Sequence, residues 1–262
     1  MQPQSLPRGW LSPEDEGLIA PRSLWPNPRD SISHYLRWVW EYLAYLTLVC
    51  ELQRESSVLD LGCGHGRMAL GLLHYLRHPG RYTGFDVDRK QIDSAQQRIG
   101  SREPGFEFVW ADVYSRETNP AGSERAESVV LPFDDATYDV IFAASLFTHL
   151  LPAEARRYFL EARRVLRPGG RILFSFFVLD HYGGSGTTVS PQYEFEHSLP
   201  GECGAAVRDP AYPDTAIAYR QHAVEEMAAA AGLVVRRVLP GLWSERPGLA
   251  VNEQDLVLLT HA

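Results

Sequence analysis

The sequence has 262 residues, 45% of them hydrophobic, which suits one large α/β domain with appendages or two small domains. Its 25 basic and 33 acidic residues give a net charge of −8 with histidine neutral, which argues against a nucleic-acid partner because such partners favour a basic surface. Three cysteines without metal-type spacing, an acidic N-terminus unlike a signal peptide and no apolar stretch of bilayer length predict a cytoplasmic protein with no membrane segment.

The N-terminal part of the chain is predicted to be an arm followed by a helix. Residues 1–30 carry several prolines and little periodicity, whereas 31–53 shows helical spacing, with Ser31 or Ser33 as the N-cap. The large side chains at this spacing are Trp38, Tyr42, Tyr45 and Val49. We expect them to pack on the main domain, so that 1–53 forms an arm and helical cap and 54–262 forms the main domain.

Short apolar strands then alternate with helical segments. The predicted strands are 56–61, 81–87, 106–113, 138–145, 170–179, 233–239 and 255–261. The predicted helices are 67–77, 89–99, 153–166 and 221–231. This alternation indicates βαβ units and therefore a mostly parallel sheet with helices on both faces. The densest basic cluster is predicted to be a solvated helix face; it consists of Arg156, Arg157, Arg163, Arg164 and Arg167.

Residues 179–220 interrupt this rhythm with a long segment rich in glycine, proline and aromatic residues. Long irregular loops in compact domains are commonly lids or binding loops. We expect this segment to close over a substrate, with aromatic walls from Tyr182, Tyr193, Phe195 and Tyr212. The alternative is a surface loop that packs on itself.

The stretch "VLDLGCGHGRM" at 58–68 places three glycines directly after a predicted strand. Glycines cluster in this way where the backbone turns tightly or approaches a ligand closely. No Lys-Ser/Thr pair follows, which excludes a P-loop, and the spacing of Gly62, Gly64 and Gly66 is tighter than a dinucleotide fingerprint. The loop amides and the next helix start favour a carboxylate, and Asp60 suits an ammonium group. A ligand with both groups is an amino acid.

Two further carboxylates are predicted to close the next two strands. Asp86 ends the second strand, where a carboxylate can accept both hydroxyls of a ribose. Asp112 ends the third strand, where it can accept from the exocyclic amine of adenine. An amino acid, a ribose and an adenine in a row describe S-adenosylmethionine.

The combined motifs resemble those of the class I S-adenosylmethionine-dependent methyltransferases. "VLDLGCGHG", "GFDVD" and "WADVY" resemble the first three motifs, and "YDVIFAASLFTHL" with "ARRVLRPGGRILFSFF" resembles the fourth and fifth. The resemblance implies a Rossmann-like α/β fold with a seven-stranded sheet whose last strand is antiparallel. Carried over by position, the cofactor-binding residues would be Asp60, Gly62, Cys63, Gly64, Gly66, Asp86, Val87, Asp112, Val113, Ser145, Leu146 and Phe147. We expect no metal.

The acceptor is predicted to be a small molecule. After the fourth strand comes "SLFTHL", without the Asn/Asp-Pro-Pro-Tyr sequence of amino-group methylation on nucleic-acid bases and without a Pro-Cys pair. Together with the acidic charge, this favours O-methylation of a natural-product or sugar hydroxyl. The alternatives are an N-methyltransferase on an amine or amino sugar, a protein or RNA methyltransferase, a non-catalytic cofactor-binding subunit and a nicotinamide-dependent dehydrogenase.

A hydroxyl acceptor loses a proton near neutral pH, and histidine takes a proton there without much tuning. His181 follows the fifth predicted strand and His149 follows the fourth, so these two are the candidate bases, ahead of His34. The sequence also leaves open a homodimer.

Overall fold

The computed structural model describes residues 16–181, 194–202, 204–244 and 250–262. The chain forms two compact units, 1–122 and 123–262. The predicted division at residue 53 stays a prediction. Tyr182, Tyr193 and Cys203 lie outside the described residues, as do residues 1–15 of the predicted arm.

The main sheet has seven strands: β1 Ser57–Leu61, β2 Arg81–Asp86, β3 Phe106–Trp110, β4 Tyr138–Ala143, β5 Leu166–Phe176, β9 Leu233–Leu239 and β10 Asp255–His261. Their order in the sheet is β3-β2-β1-β4-β5-β10-β9. The pairs β1–β2, β2–β3 and β4–β5 are parallel, whereas β10 is antiparallel to both β5 and β9. This confirms the predicted seven-stranded sheet with an antiparallel last strand.

Five helices accompany these strands in the described residues. They are α1 Ile32–Leu48, α2 Arg67–Tyr75, α3 Arg89–Ala95, α4 Pro152–Val165 and α5 Gln221–Ala230. Each corresponds to a predicted helix, although α1 ends five residues before the expected end and α3 continues as a π-turn over Gln96–Gly100. None of the helices in the described ranges is both long and apolar enough to cross a membrane.

The first unit is built on the packing of α1 against α2. The hydroxyl of Ser31 accepts from the backbone N–H of His34 at 3.1 Å, which caps α1 as predicted. Its buried face carries Tyr35, Leu36, Val39, Tyr42 and Leu46. The two helices approach closely at Gly71, where a Cβ would lie 2.9 Å from Cγ1 of Val39. Tyr35 and Tyr42 are therefore core residues, whereas Trp38 and Tyr45 are half-buried.

In the second unit, arginines of α4 hold a loop rather than forming a solvated face. The carboxylate of Glu161, only 4% exposed, accepts from the backbone N–H of Leu131 and from the guanidinium groups of Arg157 and Arg164. Arg164 also donates to the carbonyls of Leu131 and Phe133. Arg157 and Arg164 therefore depart from the predicted solvated face because they donate to backbone carbonyls, whereas Arg156 and Arg163 are exposed as predicted.

The expected irregular segment 179–220 contains a small antiparallel sheet in its described part. Its strands are β6 His197–Ser198, β7 Ala205–Val207 and β8 Ile217–Tyr219, in that order. All residues of β7 and β8 are buried, and the hydroxyl of Tyr219 donates to the carbonyl of Leu150 at 2.6 Å. The prediction of a continuous irregular loop is wrong over these strands. They have two or three residues each, too few for a period-2 pattern to show.

Candidate functional site

The glycine loop after β1 adopts a backbone that L side chains rarely take. The φ angles are 78° at Gly62, 53° at Gly64 and 78° at Gly66. The backbone N–H groups of Gly62 and Cys63 donate to the carbonyl of Phe85 at 2.8 and 3.2 Å. That of Gly64 donates to Oδ2 of Asp86 at 2.7 Å. The loop is therefore fixed to the end of β2, as expected of a binding loop.

Those same hydrogen bonds correct one expectation. The N–H groups of Gly62, Cys63 and Gly64 are engaged within the protein, and that of Gly66 donates to the carbonyl of Cys63 at 3.0 Å. These N–H groups are therefore not available to donate to an anionic ligand. The first turn of α2 is different, because the initial N–H groups of a helix have no intrahelical partner and carry partial positive charge.

Cys63 contributes backbone rather than thiol chemistry to this loop. Its side chain is buried against Gly84, where a Cβ would lie 2.7 Å from the sulfur. Burial raises the pKa of the Cys63 thiol well above its ordinary value. The sulfur therefore stays protonated and is packed as core.

Asp60 is a buried carboxylate with one unsatisfied oxygen. The residue is 1% exposed, and its Oδ2 accepts from the hydroxyl of Tyr82 at 2.8 Å. Oδ1 has no partner among the described residues. Burial raises the pKa of Asp60 to about 8, while the bond from Tyr82 and the charge of Arg67 oppose that rise. A cationic ligand group beside Oδ1 would offset the cost of charging this buried carboxyl group, so the site suits such a ligand.

This raised pKa makes stability depend on pH in a defined window. The folded protein holds a proton on Asp60 up to about pH 8, whereas the ordinary value is 3.8, so the free energy of unfolding falls as the pH rises between them. Burial lowers the pKa of His65 from 6.5 to about 4, which acts in the opposite direction but only below pH 6.5. In cofactor-free protein we therefore expect stability to fall between pH 6.5 and 8, and Asp60→Asn to flatten that fall.

Urea denaturation at several pH values in this window measures the effect. Asp93→Asn is the matched control, because Asp93 lies on the exposed surface of α3 and pairs with Arg89. Equal pH slopes for Asp60→Asn and the unmodified protein would contradict the assignment.

Asp86 lies at the end of β2, as predicted, and is half-buried. Besides Gly64, it accepts from the backbone N–H of Asp88 on Oδ1 at 2.8 Å. Burial raises its pKa, and these backbone bonds oppose the rise. A carboxylate offers about four lone-pair directions, so two backbone bonds leave room for ribose hydroxyls. By contrast, Asp88 caps α3 through the N–H groups of Lys90 and Gln91.

The neighbouring predicted residues have mainly backbone contacts. The carbonyl of Val87 accepts from the indole N–H of Trp110 at 2.9 Å, and that of buried Val113 accepts from Asn119 at 3.0 Å. Asp112 does not close β3, which ends two residues earlier at Trp110; it is half-buried in the following turn. Its binding of adenine stays a prediction.

In the second unit, the segment after β4 begins with an unusual residue. Ser145 has a φ of 67°, an uncommon value for a non-glycine residue, and such values often mark functional sites. Its N–H donates to the hydroxyl of Ser175 at 2.7 Å, and its own hydroxyl accepts from Gln254 at 2.8 Å. Leu146 is half-buried. These bonds hold the turn in place.

The side chain of Phe147 packs in the core. It is fully buried and stacks on Phe174 with ring centroids 4.3 Å apart, with Phe176 and Phe159 at 4.9 and 5.3 Å. A contact of this residue with the cofactor stays a prediction. Phe147 follows the exposed Ser145 by two residues, and at this position the chain already packs against the core again.

The candidate bases differ in what surrounds them. His149 is exposed, and its Nδ1 lies 3.1 Å from the carbonyl of Asp214. A carbonyl only accepts, so Nδ1 carries the hydrogen in the neutral ring and Nε2 keeps its lone pair. His181 ends a 3₁₀ turn at Leu179–His181, and its side chain lies outside the described residues. Nε2 of His34 already accepts from the indole of Trp38 at 3.1 Å.

A cavity of about 650 Å³ opens in the second unit beside the small sheet. Its lining includes Leu179, Phe195, Leu199, Ala205, Glu202 and Arg220. Glu202 is paired with Arg156 of α4 at 2.6 Å. The walls are thus mainly apolar with two charged groups. Within the described ranges, no three His, Cys, Asp or Glu side chains are grouped as metal ligands.

His65 and Arg67 of the first unit were not predicted as site residues, but both carry a buried polar atom that has no partner in the described ranges. Within the described part of the chain, three buried side-chain polar atoms have no hydrogen-bond partner: Oδ1 of Asp60, Nε2 of His65 and Nε of Arg67. They lie in β1, in the glycine loop and at the first residue of α2, respectively. The available sequence signal was the basic residue directly after the third glycine.

The N-terminal segment reaches this loop through Arg98. The guanidinium of Arg98 donates to the carbonyl of Leu18 and, at 2.6 Å, to the carbonyl of His65. Trp25 stacks on Tyr35 with centroids 4.5 Å apart, and Tyr35 lies 5.7 Å from the ring of His65. The segment before α1 therefore packs next to the glycine loop within the same unit.

The strand order, the glycine loop after β1 and the carboxylate at the end of β2 agree with the predicted Rossmann-like methyltransferase fold. Residues 58–170 match the family model described as "Methyltransferase domain", so this part of the chain is a methyltransferase domain. The expected cofactor, S-adenosylmethionine, is confirmed at the level of that domain.

Similar proteins include several that act on small molecules by name. Phthiotriol/phenolphthiotriol dimycocerosates methyltransferase 1 of Mycobacterium ulcerans (strain Agy99) is 36% identical over 120 residues, which is 46% of this chain and 37% of that protein. The 27-O-demethylrifamycin SV methyltransferase of Amycolatopsis mediterranei (strain S699) is 30% identical over 128 residues, 49% of this chain and 41% of that protein. The matches thus span less than half the length of these relatives.

Among solved structures, a SAM dependent methyltransferase from Aquifex aeolicus superposes with a TM-score of 0.53 at 17% identity. The superposition covers 89% of this chain and 100% of that chain. At this level of identity the likeness establishes the fold.

Proposed function

We propose that the protein transfers the methyl group of S-adenosylmethionine to a hydroxyl oxygen of a small molecule, of natural-product or sugar type. The observation that carries the cofactor part is the buried Oδ1 of Asp60, unpartnered beside a loop whose three glycines have positive φ. This site fits a ligand with an ammonium group, and Asp86 offers lone pairs for ribose hydroxyls. When bound, the cofactor supplies an already activated methyl group on sulfonium sulfur.

Two observations support a small-molecule acceptor. One relative is named for phthiotriol/phenolphthiotriol dimycocerosates and another for 27-O-demethylrifamycin SV, and the second name gives an oxygen as the methylated position. The cavity in the second unit has the volume and the largely apolar walls of a small-molecule site. We therefore assign acceptor binding to the segment 179–220, in which Phe195 is a lining residue and Tyr212 is exposed.

The protein's task in this reaction is to align the acceptor, exclude water and take up the hydroxyl proton. His149 suits the last role because its Nδ1 hydrogen is held by the carbonyl of Asp214, so that Nε2 can accept a proton. His181 remains the second candidate from the sequence. The predicted homodimer and cytoplasmic location have no bearing on this chemistry.

His149→Asn tests the proton transfer. The asparagine amide can still donate to the carbonyl of Asp214, so the local structure is retained while the basic nitrogen is lost. We expect kcat to fall about 100-fold or more with little change in KM, because general base catalysis typically contributes about 10²- to 10⁴-fold. The measurement is transfer of an isotopically labelled methyl group to a panel of hydroxylated small molecules.

The controls separate this role from others. His74→Asn removes an exposed histidine of α2 and should leave kcat unchanged. Full activity of both His149→Asn and His181→Asn, alone and combined, would refute a histidine base. A product methylated on nitrogen would replace O-methylation by the amine alternative, and absence of transfer despite cofactor binding would indicate a non-catalytic subunit.

A further inference from the structure

The cavity beside the small sheet has an apolar wall that is fixed by aromatic packing. The ring centroid of Phe195, a lining residue, lies 5.2 Å from that of Phe177 and 5.8 Å from that of Trp243. Leu179, which also lines the cavity, packs against the same buried cluster. Because packing within the protein holds these side chains in place, the wall is a preformed surface for an apolar molecule.

Glu202 contributes a negative charge to the lining, but that charge is already paired. The guanidinium of Arg156, on α4, donates to both carboxylate oxygens of Glu202, at 3.2 Å to Oε1 and at 2.6 Å to Oε2. A bidentate pair of this kind is among the strong hydrogen-bonded arrangements of arginine and carboxylate. Glu202 therefore adds little negative potential to the cavity and does not exclude an anionic ligand.

Arg220 contributes a positive charge to the same lining. Over the ranges that the structure describes, its guanidinium makes neither a hydrogen bond nor an ion pair. Its backbone is nevertheless held, because the N–H of Arg220 donates to the carbonyl of Gly204 at 2.7 Å and its carbonyl accepts from the N–H of Ala223 at 3.0 Å. The cation is thus anchored at the cavity while its five N–H donors remain available.

The stability of α5 does not explain an arginine at this position. Arg220 is the N-cap residue of α5, and its side chain makes no capping hydrogen bond. N-cap positions favour side chains that accept hydrogen bonds, whereas a guanidinium only donates, and the positive end of a helix disfavours a cation. Asp180 supplies the cap instead, by accepting from the backbone N–H of Gln221 at 2.6 Å. The charge of Arg220 is therefore available to a ligand.

We propose that this cavity binds the methyl acceptor as an amphipathic anion, with an apolar body against Leu179 and Phe195 and a carboxylate, sulfate or phosphate group paired with Arg220. This inference rests on the proposed function and adds to it the chemical class of the acceptor. Arg220 is then a specificity-determining residue, because an unpaired guanidinium beside an apolar wall favours an anionic molecule over a neutral one of the same shape.

Two dyes of similar shape test this class without turnover. 8-Anilinonaphthalene-1-sulfonate carries a sulfonate, and N-phenyl-1-naphthylamine has the same rings without it. In fluorescence titrations of the unmodified protein we expect a dissociation constant about 10-fold lower for the sulfonate, the low end for hydrogen bonds to charged groups because Arg220 is exposed. Raising the salt concentration from about 0.1 M to about 1 M should reduce this difference, because salt screens an exposed charge pair.

Substitution of Arg220 tests its part in the preference. Arg220→Gln should weaken binding of the sulfonate dye about 10-fold and leave the neutral dye within about twofold, whereas Arg220→Lys should keep part of the preference. The matched control is Arg163→Gln, which removes an exposed arginine of α4 in the same unit and should change neither affinity.

Displacement of the sulfonate dye extends the comparison to a hydroxylated ligand. The two competitors are 4′-hydroxybiphenyl-4-carboxylate and its methyl ester, which differ in charge but share the apolar body and the hydroxyl. We expect the carboxylate to displace the dye at about 10-fold lower concentration than the ester, and Arg220→Gln to remove that advantage.

The outcomes separate this inference from the proposed function. Equal affinity of the unmodified protein for the two dyes, or binding of neither, would overturn the anionic class. Equal weakening of both dyes by Arg220→Gln would also overturn it, because that pattern indicates a structural role. Absence of S-adenosylhomocysteine binding would instead refute the proposed function. If Arg220→Gln does not fold, the dye pair and its salt dependence on the unmodified protein remain decisive.

Discussion

Asp86→Ala is expected to weaken binding of S-adenosylhomocysteine by about 100-fold or more. The substitution removes a carboxylate assigned to the ribose hydroxyls, and hydrogen bonds to charged groups contribute about 1.5–3 kcal/mol each. It also releases the N–H of Gly64, which Asp86 holds at 2.7 Å, so the glycine loop loses its anchor to the end of β2. Isothermal titration measures the affinity, and circular dichroism checks that the variant is folded.

Asp88→Ala is the matched control, since it removes a carboxylate only two positions away. Asp88 caps α3 through Lys90 and Gln91, and loss of an N-cap costs about 1 kcal/mol of stability. We expect a modest decrease in stability and a change in affinity of no more than a few-fold. If Asp88→Ala weakened binding as much as Asp86→Ala, the ribose assignment would not hold.

Asp255→Ala is expected to cause the largest loss of stability, about 3–5 kcal/mol. The residue is fully buried at the start of β10, where its carboxylate accepts from three donors. These are the backbone N–H of Val178 at 2.7 Å, the backbone N–H of Gly241 at 2.8 Å and the indole N–H of Trp243 at 2.6 Å. Alanine removes the buried acceptor that these three donors share.

Equilibrium unfolding in urea measures this loss, and Asp139→Ala provides the comparison. Asp139 pairs with Arg167 at 2.9 Å where both side chains are about a third exposed, and such surface pairs contribute about 1 kcal/mol or less. A loss below about 1 kcal/mol for Asp255→Ala would show that the donors find other partners.

The strands of the main sheet could be predicted because they carry runs of buried apolar residues between helices. β9 and β10 match their predicted bounds, and the other strands differ at one or both ends. The ends of the strands were harder to predict. In the sequence Asp112 continues an extended apolar run, but the pairing of β3 with β2 ends at Trp110. Where pairing ends depends on the neighbouring strand, which a single segment does not encode.

The site residues also include some that the sequence could predict and some that it could not. The places of Asp60 and Asp86 could be predicted because both lie near strand ends, and parallel strands fix where such side chains lie. Those of Phe147 and His65 could not, because position after a strand end leaves open whether a side chain turns into the core or toward a ligand. The tertiary contacts decide this. Phe147 stacks on Phe174, and the ring of His65 is oriented by Gln91.

The bond network of Arg98 has a consequence for the first unit. One guanidinium holds the carbonyl of Leu18 in the N-terminal segment and the carbonyl of His65 in the glycine loop. A contact that restrains the segment at Leu18 lowers the entropy cost of restraining the loop at His65. Such thermodynamic linkage is reciprocal. We therefore expect occupancy of the loop and docking of the segment to reinforce each other through Arg98, a side chain eighty positions from Leu18 in the sequence.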